Sequence, residues 1–207
     1  MTKVNQAVFN HEKMYTFLKG YAIGKGMTET LKALSYARQK HADQKRKDGE
    51  PYIVHPLTMA CNATALDISD DTTMAAILLH DVVEDCGVTL AELPVSDKVK
   101  QTVKYLTFTV LDGETKEEAK RRYYNVMLES KEAAIVKLID RCHNVSTMAG
   151  VFSREKLAEY SKETKDYVLP LMRRAKDEYP ELSNTFFQLK YHITSVLNAI
   201  DLALKAE

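Results

Sequence analysis

Residues 72–87 read TTMAAILLHDVVEDCG, and the fold turns on how this stretch is interpreted. No Pro or Gly interrupts it before Gly87, so the spacing predicts one helix over the whole run. On a 3.6-residue wheel His80, Asp81, Glu84 and Asp85 fall on one arc, joined by i,i+3 and i,i+4 spacings. Ala75, Leu79, Val82 and Val83 fill the opposite face, and Met74, Ile77 and Leu78 flank the polar arc. A helix of this pattern is buried nearly all round, with three carboxylates and an imidazole set into it. The stretch contains no Lys or Arg. Burying unpaired carboxylates costs several kcal/mol each, so a cation has to come from elsewhere. A bound metal is one candidate, because Asp and His are common ligands. A wet, acidic helix end is the plainer alternative.

The rest of the chain supplies a helical setting. Its 207 residues suffice for one good core and a small appended unit. Hydrophobic residues make up 45% and charged residues 28%, the balance of a water-soluble globular protein. A formal net charge of zero argues against a protein that holds nucleic acid by bulk electrostatics. It leaves room for a local basic pocket that takes a phosphorylated small molecule. With 7 Gly and 5 Pro, long helices and short connections are favoured. No apolar run reaches membrane-spanning length, and the N-terminal MTKVNQAVFNHEK has no signal-peptide core. The odd set Cys61, Cys86 and Cys142 reads as reduced thiols in a cytoplasm, serving as small hydrophobes.

A helix over 10–23 ends at Gly24 and Gly26, and Thr28 or Thr30 caps the next, which runs through Leu34 to His41. The basic loop Gln44-Lys45-Arg46-Lys47-Asp48-Gly49 follows. Then comes Pro51-Tyr52-Ile53-Val54-His55-Pro56. A residue before proline tends to be extended, and proline suits a first helical turn, so His55 is expected at a loop-to-helix junction. Further helices are expected over 97–107, 116–130, 131–149, 155–179 with a kink at Pro170, and 182–205. Lys120-Arg121-Arg122 reads as a solvated face, although it could reach a phosphate. In helix 131–149, Ile135, Leu138, Ile139 and Cys142 form an apolar stripe. Asp140 sits beside that stripe, with Asn144 one turn on. A lone Asp there could simply pair with Lys137. The reading is all-α, a single domain over 1–207, with the two C-terminal helices providing packing or an oligomer surface.

The order His … His-Asp … Asp resembles the HD phosphohydrolase superfamily. The text around it, RKDGEPYIVHPL, AAILLHDVVEDCGVT and VKLIDRCHNVSTM, resembles the hydrolase domain of the Rel/Spo stringent-response enzymes. The likeness covers about residues 28–150, with the helices of 151–207 packing on that core. It implies an HD-domain helical bundle and a stand-alone small alarmone hydrolase, since the synthetase domain of the larger enzymes has no room here. It implies that His55, His80, Asp81 and Asp140 hold one divalent metal, Mn²⁺ in that family; the same donor set would accept zinc or iron. It assigns Glu84 and Asp85 to orienting and deprotonating the attacking water, and Arg46, Lys47 and Asn144 to the nucleotide. His41 matches a family His of open role. The implied substrate is guanosine tetra- or pentaphosphate, cleaved at the 3′-diphosphate to GDP or GTP and pyrophosphate. One departure is Ser146, where many long Rel enzymes carry Arg. It keeps adenosine alarmones and nucleotide monophosphates such as NADPH in view, beside a second alternative, a silent alarmone-binding module. The expected setting is the cytoplasm, with a nucleotide as partner, no nucleic acid and no membrane.

Overall fold

The computed structural model describes residues 10–206; the N-terminal stretch read for a signal peptide lies mostly outside them. The described residues are helical, with one isolated bridge between Lys45 and Pro51. The all-α expectation therefore holds. Among the described residues, no helix is long and apolar enough to cross a membrane. The chain divides between Thr107 and Phe108 into two compact units, each with its own core.

The first unit is built on helices α1 (His11–Lys25), α2 (Thr28–Lys40), α3 (Val54–Ala65), α4 (Asp71–Leu79), α5 (Val82–Asp85) and α6 (Asp97–Leu106). Its centre is α4, where every residue from Thr73 to Leu79 is buried. α2, α3 and α6 all pack against α4. A helix apolar all round can be stable only when it is enclosed in this way.

α1 runs through Gly24 and stops at Gly26, whose φ of 68° gives the left-handed cap that glycine adopts without strain. α2 starts without the threonine cap its sequence suggested, since its N-cap is Met27 with no side-chain bond. The cap comes from 41 residues away in the chain. The Asp71 carboxylate accepts from the Thr30 amide at 2.8 Å and the Glu29 amide at 3.0 Å, and from the Thr30 hydroxyl at 2.6 Å. Asp70 meanwhile caps α4 itself through the Thr73 amide.

The single helix expected over 72–87 is two helices. α4 ends at Leu79, Asp81 has φ −98° and ψ −8°, and α5 begins at Val82. The cause is local. The His80 imidazole Nδ1 donates to the Ile77 carbonyl at 2.8 Å, the group that an unbroken helix would offer to the Asp81 amide. The burial expectation also needs correcting. His80 is buried and Asp81 half-buried, but Glu84 and Asp85 are exposed.

The second unit comprises α7 (Lys116–Val126), α8 (Lys131–Thr147), α9 (Arg154–Glu163), α10 (Leu169–Glu178) and α11 (Ser183–Lys205). α11 packs along α8, α9 and α10. The helix expected over 155–179 is interrupted by a π-turn at Thr164–Val168. This widened turn precedes Pro170, which lacks an amide hydrogen, so the irregularity falls before the proline. Lys120 and Arg122, read as able to reach a phosphate, are engaged within this unit. Lys120 pairs with Glu163 at 2.6 Å and Arg122 with Glu114 at 2.8 Å.

Candidate metal centre

In the first unit the break after α4 places His80 and Asp81 beside His55. His55 is the second residue of α3, at the loop-to-helix junction where it was expected. Tyr52 N–Gln44 O and His55 N–Tyr52 O bonds, both 2.9 Å, hold the approach to α3 rigid. His55 Nε2 and His80 Nε2 face each other at 3.2 Å. Asp81 Oδ2 lies 2.9 Å from His80 Nε2 and 3.5 Å from His55 Nε2. Both imidazoles are buried.

With its Nδ1 hydrogen given to the Ile77 carbonyl, neutral His80 presents a lone pair at Nε2. That lone pair points at a carboxylate oxygen and at a second imidazole nitrogen. Atoms brought this close need a hydrogen on His55 Nε2 or a metal ion among them, since two bare lone pairs and a carboxylate oxygen would repel. Two imidazoles and a carboxylate are donors that Mn²⁺, Fe²⁺ or Zn²⁺ accepts. The donor chemistry therefore fits a divalent metal.

Of the layer behind these groups, sequence reasoning named only His41 and left its role open. The Tyr52 hydroxyl donates to Asp81 Oδ2 at 2.5 Å. Burial and the neighbouring Asp81 carboxylate drive the phenol pKa far upward, so Tyr52 stays a neutral donor. His41 is buried and stacks on the Tyr52 ring, with centroids 4.7 Å apart and planes 30° apart. Its Nδ1 donates to Gln44 Oε1 at 2.6 Å, and Gln44 Nε2 donates onward to Asp85 Oδ2 at 3.4 Å. Burial lowers the His41 pKa despite the Gln44 bond, so this ring is neutral at neutral pH. The sequence hints of the layer were His41, matched to a family His, and Tyr52 standing three residues before His55.

The basic loop forms a tight turn. The Lys45–Pro51 bridge, the Arg46 N–Glu50 O bond of 2.8 Å and the Gly49 N–Arg46 O bond of 2.9 Å close it. Gly49 takes φ 89°, which is open to glycine at little strain. Arg46 is half-buried and Lys47 exposed.

In the second unit Asp140 and Asn144 lie one turn apart on α8. Asp140 is buried. Its Oδ2 accepts from Lys137 Nζ at 2.8 Å and its Oδ1 from Asn144 Nδ2 at 2.5 Å. The Lys137 pairing raised as the plainer possibility is therefore present. Burial works against the Lys137 ammonium, but the Asp140 charge and the phenols of Tyr123 and Tyr124 outweigh it, and its pKa stands well above the ordinary lysine value. Next along α8, buried Arg141 donates to Glu163 at 2.7 Å and Tyr124 at 2.9 Å through Nη2, and to Thr164 at 3.1 Å through Nη1. These bonds tie α8 to the start of the π-turn. Ser146 shares a 2.7 Å hydrogen bond with His192 of α11.

Residues 33–175 match the model of an HD-domain family. Guanosine-3′,5′-bis(diphosphate) 3′-pyrophosphohydrolase of Aquifex aeolicus is 36% identical over 151 residues, covering 70% of this chain and 21% of that protein. A probable GTP pyrophosphokinase of Mycobacterium leprae is 37% identical over 148 residues, covering 69% of this chain and 19% of its own. A probable guanosine-3′,5′-bis(diphosphate) 3′-pyrophosphohydrolase of Synechocystis sp. is 34% identical over 151 residues, covering 69% and 20%. The chain thus spans about a fifth of the length of these relatives. A solved structure of a metazoan SpoT ortholog, described as hydrolysing ppGpp, superimposes with a TM-score of 0.66. It covers 83% of this chain and 95% of its own at 23% identity, a likeness of fold.

Proposed function

From the premise that this chain belongs to the HD-domain family, we propose that it is a metal-dependent hydrolase of guanosine tetra- and pentaphosphate. It would remove the 3′-diphosphate as pyrophosphate and leave GDP or GTP. The observation that carries the reading is the convergence of His55 Nε2, His80 Nε2 and Asp81 Oδ2 within 3.5 Å of one another. The names of the pyrophosphohydrolase relatives support the choice of substrate.

In this proposal His55, His80, Asp81 and Asp140 hold the ion, with Mn²⁺ as the favoured occupant. Three of the four, His55, His80 and Asp140, are buried donors of the types such ions take. A divalent ion bound there supplies a water of lowered pKa, about 7 in the zinc case. Glu84, exposed on α5 beyond the break at His80 and Asp81, takes the proton of the attacking water at its carboxylate, and Asp85 orients that water. Arg46 and Lys47, on the closed basic turn, bind the phosphates of the nucleotide. Asn144 steadies Asp140 through its amide and faces the nucleotide. The water oxygen bonds to the sugar-linked phosphorus, and the bond from that phosphorus to the ribose 3′ oxygen breaks. The 3′ oxygen leaves as a hydroxyl, taking up the proton removed from the water, so one water yields pyrophosphate and the nucleoside 5′-di- or triphosphate.

A second reading, hydrolysis of another 3′- or 2′-phosphorylated nucleotide, draws on Ser146 and its His192 partner standing where many long Rel enzymes carry Arg. One panel separates the two. Chelated protein is given Mn²⁺ and then ppGpp, the adenosine analogue or NADPH, with products resolved by anion exchange. Fast Mn²⁺-restored release of pyrophosphate from ppGpp is expected. Inert ppGpp beside rapid NADPH cleavage would overturn the first reading, and metal-independent turnover would sink both.

A further inference from the structure

We infer that Tyr52 is a positioning residue for the metal centre, fixing which oxygen of Asp81 faces the two imidazoles. The inference rests on the metal reading above. Asp81 sits in the break between α4 and α5, outside regular helix, and its side chain is 23% exposed. A carboxylate offers two chemically equivalent oxygens, so a hydrogen bond to one of them sets which faces the imidazoles. The Tyr52 hydroxyl donates to one of them, Oδ2, the same atom that lies 2.9 Å from His80 Nε2. Rotating the carboxylate would break that bond and withdraw the oxygen from the imidazoles.

Tyr52 is itself held on three sides. Its amide bonds to the Gln44 carbonyl, its ring stacks on buried His41, and its edge meets His55 at 5.9 Å and 73°. Gln44 continues the support, bridging His41 to the Asp85 carboxylate. One small scaffold thus braces both the Asp81 ligand and the Asp85 side of the water-activating pair. Outer partners of ligands behave in this way: they orient the donor, and their loss typically weakens metal binding about 10–100-fold.

The test is Tyr52→Phe, which keeps the ring stack and removes only the hydroxyl. Metal-free wild type and variant are titrated with Mn²⁺ by calorimetry, and their metal-free melting curves are compared. The expected result is about 10–100-fold weaker Mn²⁺ binding with the metal-free melting temperature nearly unchanged. Binding within twofold of wild type overturns the inference and leaves the metal reading standing. A variant that loses its metal-free melting transition also overturns it, because the hydroxyl would then be a bond of the fold at large. If the wild type itself takes up no Mn²⁺, the metal reading fails, and the inference with it.

Discussion

Asp81 and Asp140 are proposed for the same ion, yet the two units surround them differently. Asp81 is met by a phenol and two imidazoles, groups that bring positive charge only when a proton or a metal ion joins them. Asp140 is met by an ammonium and an amide within its own helix. Positive charge is therefore conditional beside Asp81 and permanent beside Asp140. The first unit has the character of a receptor for a cation. The second keeps its carboxylate oriented whether or not one is present, since both of its oxygens are already held by side chains on the same helix.

The sharpest way to break this contrast is to remove a conditional donor. His80→Ala should abolish both Mn²⁺ retention, read by elemental analysis after gel filtration, and turnover. A variant that keeps a full equivalent of metal would show that the first unit is no receptor. Next in size, Glu84→Gln should lower turnover about 10²–10⁴-fold, the usual worth of a general base, with metal content unchanged. Loss of metal together with activity would move Glu84 among the groups that hold charge.

Lys137→Met probes the permanent side. Removing the ammonium leaves a buried carboxylate short of its internal cation, and denaturant titration of the metal-free protein should show a loss of about 3 kcal/mol. Mn²⁺ should then raise the melting temperature of the variant by more than it raises that of wild type, because a ligand that binds only the folded state stabilises it by mass action. Equal stability of the two metal-free proteins would mean that Lys137 contributes nothing to holding Asp140.

The smallest effect concerns acid. Burial raises the Glu163 pKa, but hydrogen bonds from Lys120 and Arg141 outweigh it and bring the carboxyl down to about 2. The unfolded chain therefore takes up this proton at higher pH than the folded one. The stabilisation is complete above the ordinary glutamate pKa and fades as pH falls from there towards 2. Urea midpoints measured over that range should fall, and Glu163→Gln should make their slope shallower. An unchanged slope would remove Glu163 from the account.

Much of this was legible in the sequence. Periodicity and caps marked most of the helices, because an apolar face and its terminating residues are neighbours in the chain. The HD motifs named every proposed ligand. What escaped notice arises from contacts that a linear pattern does not carry. The break at His80 comes from an imidazole satisfying a carbonyl of its own helix. The start of α2 depends on Asp71, far along the chain. Tyr52 meets Asp81 across 29 residues. Pro170 did signal an irregular helix, and a π-turn stands just upstream of it.

The Asp71 clamp reaches further than its own helix end. From that anchor α4 runs 9 residues to the doorstep of His80, a lever arm of about 13 Å at 1.5 Å per residue. A tilt of about 5° at the clamp would swing the imidazole by about 1 Å, a misplacement that can cost on the order of 10²-fold in rate. Substitutions at Asp71 or Thr30, remote from any chemistry, would then register as kinetic defects in a protein that still melts as a folded one.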